Sequence, residues 1–162
     1  MPCAENATGG LNLSEGRCVK FKKARLVNGM AIAPPTAPAR VKAVIEAANE
    51  IRKKPYIYGG GHASFDSKGY DCSGAVSYAL RGGNFLSSPL PSSGFYKWGK
   101  AGVGRWITIY TNPGHMYMVV AGLRFDTSMS TDPNAHPGSG PRWSKTMRST
   151  PGAFTARSPV GF

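Results

Sequence analysis

The chain has 162 residues, enough for one domain with a proper core, and its 41% apolar and 17% charged residues are ordinary for a globular protein. No apolar stretch approaches the length a membrane-spanning helix needs, and no apolar segment follows Met1-Pro2-Cys3 to make a secretory signal. A formal net charge of +12 predicts attraction to a polyanion such as nucleic acid, an anionic membrane or the acidic polymers of a bacterial wall. Apart from Lys20, Lys22, Lys23 and Arg25 and the run Arg52-Lys53-Lys54, the basic residues are scattered. They carry no recognition-helix, zinc-finger or stacking-platform signature, so no specific nucleic-acid partner is expected, and the bland alternative is a solvated basic surface.

Residues 1–37 read as an irregular arm. Cys3 and Cys18 bracket a segment rich in Gly, Asn and Ser. Pairing them would close a short loop, leave Cys72 as the single reactive thiol and suit an oxidising compartment. The alternative is two unpaired cysteines in a cytosolic protein. The run Ala33-Pro34-Pro35-Thr36-Ala37-Pro38 reads as an extended linker, with the main domain spanning 38–162. Val41, Val44, Ile45, Ala48 and Ile51 then fall at helical spacing, which predicts a helix over 39–52, stopped by Pro55. A glycine-rich loop with Tyr56, Tyr58 and His62 leads to a second helix that opens at Cys72 and ends near Arg81-Gly82-Gly83. Residues 84–104 read as loop, with a short aromatic cluster at Phe95-Tyr96-Lys97-Trp98. Strands are expected over 105–110, 115–121 and 123–127, the last two joined at Gly122, with a turn-rich stretch over 128–152 and a closing strand over 154–157. Helices first and strands after describe an α+β domain, N-terminal helices on an antiparallel β-sheet.

The chemistry concentrates at Asp71-Cys72-Ser73-Gly74. A cysteine in the first turn of a helix lies where unpaired N–H groups and the helix dipole favour a thiolate. Its own N–H is a natural oxyanion donor. His115, at the start of a strand, is available as base. For an arbitrary Cys and His the better reading is a buried small hydrophobe and a satisfied edge histidine. Here the neighbours Asp71, Ser73 and Gly74 are small, polar and helix-initiating, which is wrong for a plain core position. The residues therefore point to a cysteine hydrolase. His62 could line the cleft, but a solvated loop residue is the plainer reading, and Trp98, Trp106 and Trp143 read as core and loop anchors. No His, Cys and carboxylate set has metal-ligand spacing, so neither metal nor cofactor is expected.

Pro55-Tyr56-Ile57-Tyr58-Gly59-Gly60, then Asp71-Cys72-Ser73-Gly74 with its apolar run, then Gly114-His115 before an apolar strand, together resemble the NlpC-type cell-wall peptidases. The similarity covers about residues 39–128. It implies a papain-like cysteine endopeptidase in which Cys72 attacks a peptide carbonyl and His115 is the base. It further implies that Tyr58 stands beside the nucleophile and that Asp71 and Ser73 contact the residue on the acyl side of the scissile bond. The family usually places a polar residue, most often His, on the strand after the base; Phe125-Asp126-Thr127-Ser128 fits that pattern with Asp126 in the His slot. A strict residue count selects Thr127 instead, and His136 lies in the turn-rich stretch.

The resemblance implies a secreted or envelope-associated monomer acting on peptidoglycan stem peptides, between D-glutamate and the following diamino acid, among anionic wall polymers. Its rivals are an amidase or acyltransferase of similar architecture and an inactive wall-binding domain that kept the fold.

Overall fold

The computed structural model describes residues 23–128 and 140–162. Cys3, Cys18 and their expected disulfide, and His136, lie outside the described residues. The described part of the expected irregular arm contains an antiparallel hairpin, β1 (Arg25–Val27) and β2 (Met30–Ile32), turned by Asn28 and Gly29 at φ 51° and 79°. Both central residues have positive φ, the geometry that a two-residue turn needs to match the strand twist. The hairpin's three-residue strands are too short to announce themselves by alternation, which is why the sequence reading passed over them.

Helix α1 (Ala39–Ile51) follows its expected stripe, with Val41, Val44, Ile45, Ala48 and Ile51 all buried. Each such side chain contributes roughly 1.5–3 kcal/mol by leaving water. One polar residue joins that face. Asn49 Nδ2 donates to the Ala31 carbonyl at 2.9 Å, and its Oδ1 accepts from the Ala31 N–H at 3.0 Å and from Trp143 Nε1 at 2.9 Å. A single buried amide thus ties α1 to the hairpin and to the far end of the chain.

Helix α2 (Cys72–Gly82) packs on α1 and against the sheet. That sheet comprises β3 (Lys100–Ala101), β4 (Ile107–Asn112), β5 (His115–Val120), β6 (Leu123–Asp126), β7 (Arg142–Ser144) and β8 (Thr155–Ser158). Their order is β3-β8-β4-β5-β6-β7, with every neighbour antiparallel, so the α+β architecture is as expected. The closing strand β8 inserts between β3 and β4. Strand β7 arises within the stretch read as turns: Trp143 is buried and meets Phe125 with ring centroids 4.8 Å apart. Packing supplies what three residues of local pattern could not.

Two tight turns place the site. Strand β4 runs two residues further than its pattern suggested, to Asn112, whose Oδ1 accepts from the N–H of Gly114 at 2.9 Å and of His115 at 2.8 Å. This side-chain turn starts β5 at His115. At the other end of β5, Ala121 and Gly122 take φ 47° and 85° and lead directly into β6, with Val120 opposite Leu123.

Candidate active site

The nucleophile's setting begins with α2. Asp71 is the N-cap, its Oδ1 accepting from the Gly74 N–H at 2.7 Å, while its carbonyl accepts from the Ala75 N–H at 2.9 Å. The N–H groups of Cys72 and Ser73, in the first turn, have no acceptor within the helix and are left as donors beside the thiol. Cys72 is partly exposed with a free thiol. The glycine-rich loop docks on this helix start. A Cβ on Gly74 would run into the Gly60 carbonyl, and Gly61, at φ 87°, lies against Gly74 and the Tyr70 ring. Glycine is required here by close approach at one position and by backbone conformation at the other.

On the sheet side, His115 Nε2 is 2.8 Å from Asp126 Oδ1, and Cys72 lies close enough to the same ring to favour its charged form. With Nε2 engaged by the carboxylate, Nδ1 is left for sulfur. Strand register explains the pair. The ladder that sets Met118 opposite Phe125 brings Asp126, one step on, beside Tyr117 and diagonal to His115 on the same face. Thr127 lies just past the end of β6, and its buried Oγ1 has no hydrogen-bond partner among the described residues. The structure therefore brings Asp126, not Thr127, to the imidazole.

Burial disfavours the charged form of His115, but the hydrogen bonds to Asp126 and Cys72 and the charges of both outweigh it, pushing the imidazole up to about 9. Asp126 moves the other way. Burial would raise its pKa, yet bonds from His115, Arg148 and the Ser128 N–H hold the carboxyl below its usual range. Two arginines that the sequence reading missed complete the cluster. Arg124 Nη1 donates to Asp126 Oδ2 at 2.7 Å; Arg148 Nε donates to Oδ2 at 2.9 Å and its Nη2 to Oδ1 at 3.2 Å. Arg124 lies two residues before Asp126 on β6, so the period of a strand could have found it. Arg148 had no such signal; it reaches the site from the turn-rich stretch with its guanidinium 5.1 Å from the Tyr117 ring centroid.

The remaining expected site residues divide. Asp71 and Ser73 flank Cys72, joined by His62, whose Nε2 is 2.9 Å from both Asp71 Oδ1 and Ser73 Oγ. His62 is thus held in the site rather than solvated in a loop. Tyr58 is 91% exposed. The tyrosine electrostatically coupled to the nucleophile is Tyr56: burial first, then the charges of Cys72 and Asp71, push its hydroxyl up. The reason is backbone pairing. Tyr70 N–H donates to the Pro55 carbonyl and Ile57 N–H to the Tyr70 carbonyl, which lays residues 55–57 alongside the approach to Asp71 and Cys72. At Gly59 the chain turns away with φ 75°.

With this geometry in hand, solved structures provide a comparison. An NlpC/P60 family protein from Bacillus cereus superposes with a TM-score of 0.53 at 16% identity, over 78% of this chain and 41% of that one. The chain thus spans about two fifths of the Bacillus cereus protein's length. A mutated form of the Resuscitation Promoting Factor Interacting protein RipA matches with a TM-score of 0.50 at 19% identity, over 96% of this chain and 88% of that one. No family model and no curated protein sequence matches the chain. At these identities the comparison establishes architecture: the chain has the fold of NlpC/P60 proteins.

Proposed function

We propose that the protein is a cysteine endopeptidase that hydrolyses peptide bonds in bacterial peptidoglycan stem peptides, at the D-glutamyl–diamino acid bond. The observation that carries this reading is the His115 ring bonded to Asp126 at 2.8 Å beside the partly exposed Cys72 thiol at a helix start. The Cys72 thiolate attacks the glutamyl carbonyl, and the Cys72 N–H donates to the developing oxyanion. The His115 imidazolium gives its proton to the departing amine, leaving a thioester. Neutral His115 then takes a proton from water, which attacks the thioester; the C–S bond breaks, releasing the glutamyl carboxylate side of the stem and restoring the thiolate and imidazolium. Asp126, fixed by Arg124 and Arg148, keeps the imidazole oriented and favours its charged form.

The net charge of +12 suits work among anionic wall polymers outside the cell, and among the described residues no helix is long and apolar enough to cross a membrane. Mass spectrometry of peptidoglycan digested with the protein tests the reading. The expected product carries a new amine on the diamino acid and disappears with Cys72→Ala. Release of the L-alanine amine instead would mark an amidase. Retention of intact stems, with binding to sacculi that weakens as salt rises, would mark a wall-binding module.

A further inference from the structure

The two polar side chains beside the nucleophile are already occupied. Asp71 Oδ1 receives the Gly74 N–H at 2.7 Å and has Ser73 Oγ 3.4 Å away. The latter is too long to hold the serine by itself. His62 supplies the missing link, its Nε2 lying 2.9 Å from both oxygens. A carboxylate can only accept, so Nε2 carries a proton and donates it to Asp71, sharing it with Ser73 Oγ. The loop bearing His62 is pinned to α2 by the Gly60–Gly74 and Gly61–Gly74 contacts and by the Asp71 N–H donating to the Gly60 carbonyl at 3.2 Å. The His62 ring is 26% exposed and the Asp71 side chain 14%, so the pair lies at the surface beside Cys72 rather than in the core.

A carboxylate at the edge of a cleft, left without a donor, selects for an ammonium group on the substrate. Here the protein provides that donor itself. Resting on the endopeptidase reading above, we propose that His62 is a specificity-determining residue: by occupying Asp71 and Ser73 it removes the demand for a free amine on the acyl side, so that the enzyme cleaves stem peptides whose N-terminus is acylated, as it is in intact wall. Substrate then docks against an Asp71–His62–Ser73 unit in which Asp71 Oδ1 already has its donors.

The test compares two synthetic peptides, L-alanyl-γ-D-glutamyl-diaminopimelate with a free N-terminal amine and its N-acetylated twin. Wild-type protein should cleave the acetylated peptide at least as well as the free one. In His62→Ala the ratio of kcat/KM, free over acetylated, should rise about tenfold, the worth of one charge-assisted bond transferred from the imidazole to the substrate. His62→Gln, whose amide can still donate to Asp71, should stay within about threefold of the wild-type ratio. A ratio of two substrates on one preparation is insensitive to the fraction folded, so a loss of stability in His62→Ala does not imitate the effect. An unchanged ratio in His62→Ala overturns this inference and leaves the endopeptidase reading standing. Wild-type protein that cleaves neither peptide overturns both.

Discussion

His62 meets Asp71 at 2.9 Å and His115 meets Asp126 at 2.8 Å, so two imidazole–carboxylate pairs of nearly equal length border Cys72. Their surroundings differ. Asp71 caps a helix and keeps some contact with water, with one backbone N–H and one hydroxyl as its other neighbours. Asp126 is fully buried and takes donors from two arginines and a backbone N–H as well as from the histidine. Where water reaches a pair of this kind, it contributes little to the stability of the fold. In the dry cluster each charge depends on the others, which suits a group that must hold one orientation through a reaction cycle. The same two residue types thus stand in two different settings, and the difference is made by what lies behind the carboxylate.

The contrast can be broken most severely at the sulfur that both pairs border. Cys72→Ala should abolish hydrolysis, a loss of about 10⁴-fold or more in turnover, with thermal unfolding close to wild type. Turnover comparable to wild type would end the claim that either pair serves a cysteine nucleophile.

Asp126→Asn tests the dry cluster. It leaves the buried Arg124 and the partly buried Arg148 without their counter-charge, so urea unfolding should show a loss of about 3–5 kcal/mol. The equivalent change at the wetter pair, Asp71→Asn, should cost less than about 1 kcal/mol, because an asparagine Oδ1 can still cap the helix. Equal costs would mean that burial is not what separates the two sites.

The pH dependence sharpens the comparison. His115 has a raised folded pKa, so its stabilisation is complete below the ordinary imidazole value of about 6.5 and is lost as pH rises through about 9. Activity that needs the imidazolium should fall on an alkaline limb near pH 9. In Asp126→Asn that limb should move to lower pH, because the charge and bond that favour imidazolium are weakened. Asp126 works in the opposite sense: its pKa is lowered, so its contribution is present above the ordinary carboxyl range and is lost as pH falls through the depressed value. Arg148→Ala should reduce that acid-side loss, measured as a smaller drop in unfolding free energy between neutral and acidic solution.

The smallest expected effect has the opposite sign. Thr127 Oγ1 is buried without a partner among the described residues, so Thr127→Val should stabilise by about 1 kcal/mol and leave the pH–rate profile unchanged. A collapse of activity in this variant would return Thr127 to the role the structure gives to Asp126.

Local pattern was a sound guide wherever near neighbours make the decision. The stripe on α1, the helix opening at Asp71-Cys72, the start of β5 at His115 and the turn at Gly122 all depend on residues within a few positions of one another, and all were legible. The candidate nucleophile and base were legible for the same reason, since a capping Asp and a Gly before a strand are short-range signals. Tertiary structure decided the partnerships. Tyr56 is held nearer the body of the domain than the 91%-exposed Tyr58 because residues 55–57 pair with Tyr70. Asp126 rather than Thr127 reaches His115 because the β5–β6 register sets Asp126 on the face of His115, and Thr127 lies just past the end of β6. Arg148 joins Asp126, and Trp143 joins Asn49, across separations of 22 and 94 residues. Composition along the chain specifies which segments become helix or strand, because capping and periodicity act over one or two turns. Which buried charge meets which, and how far water is kept from it, is set only when distant segments pack, because desolvation and ladder register are properties of the assembled fold.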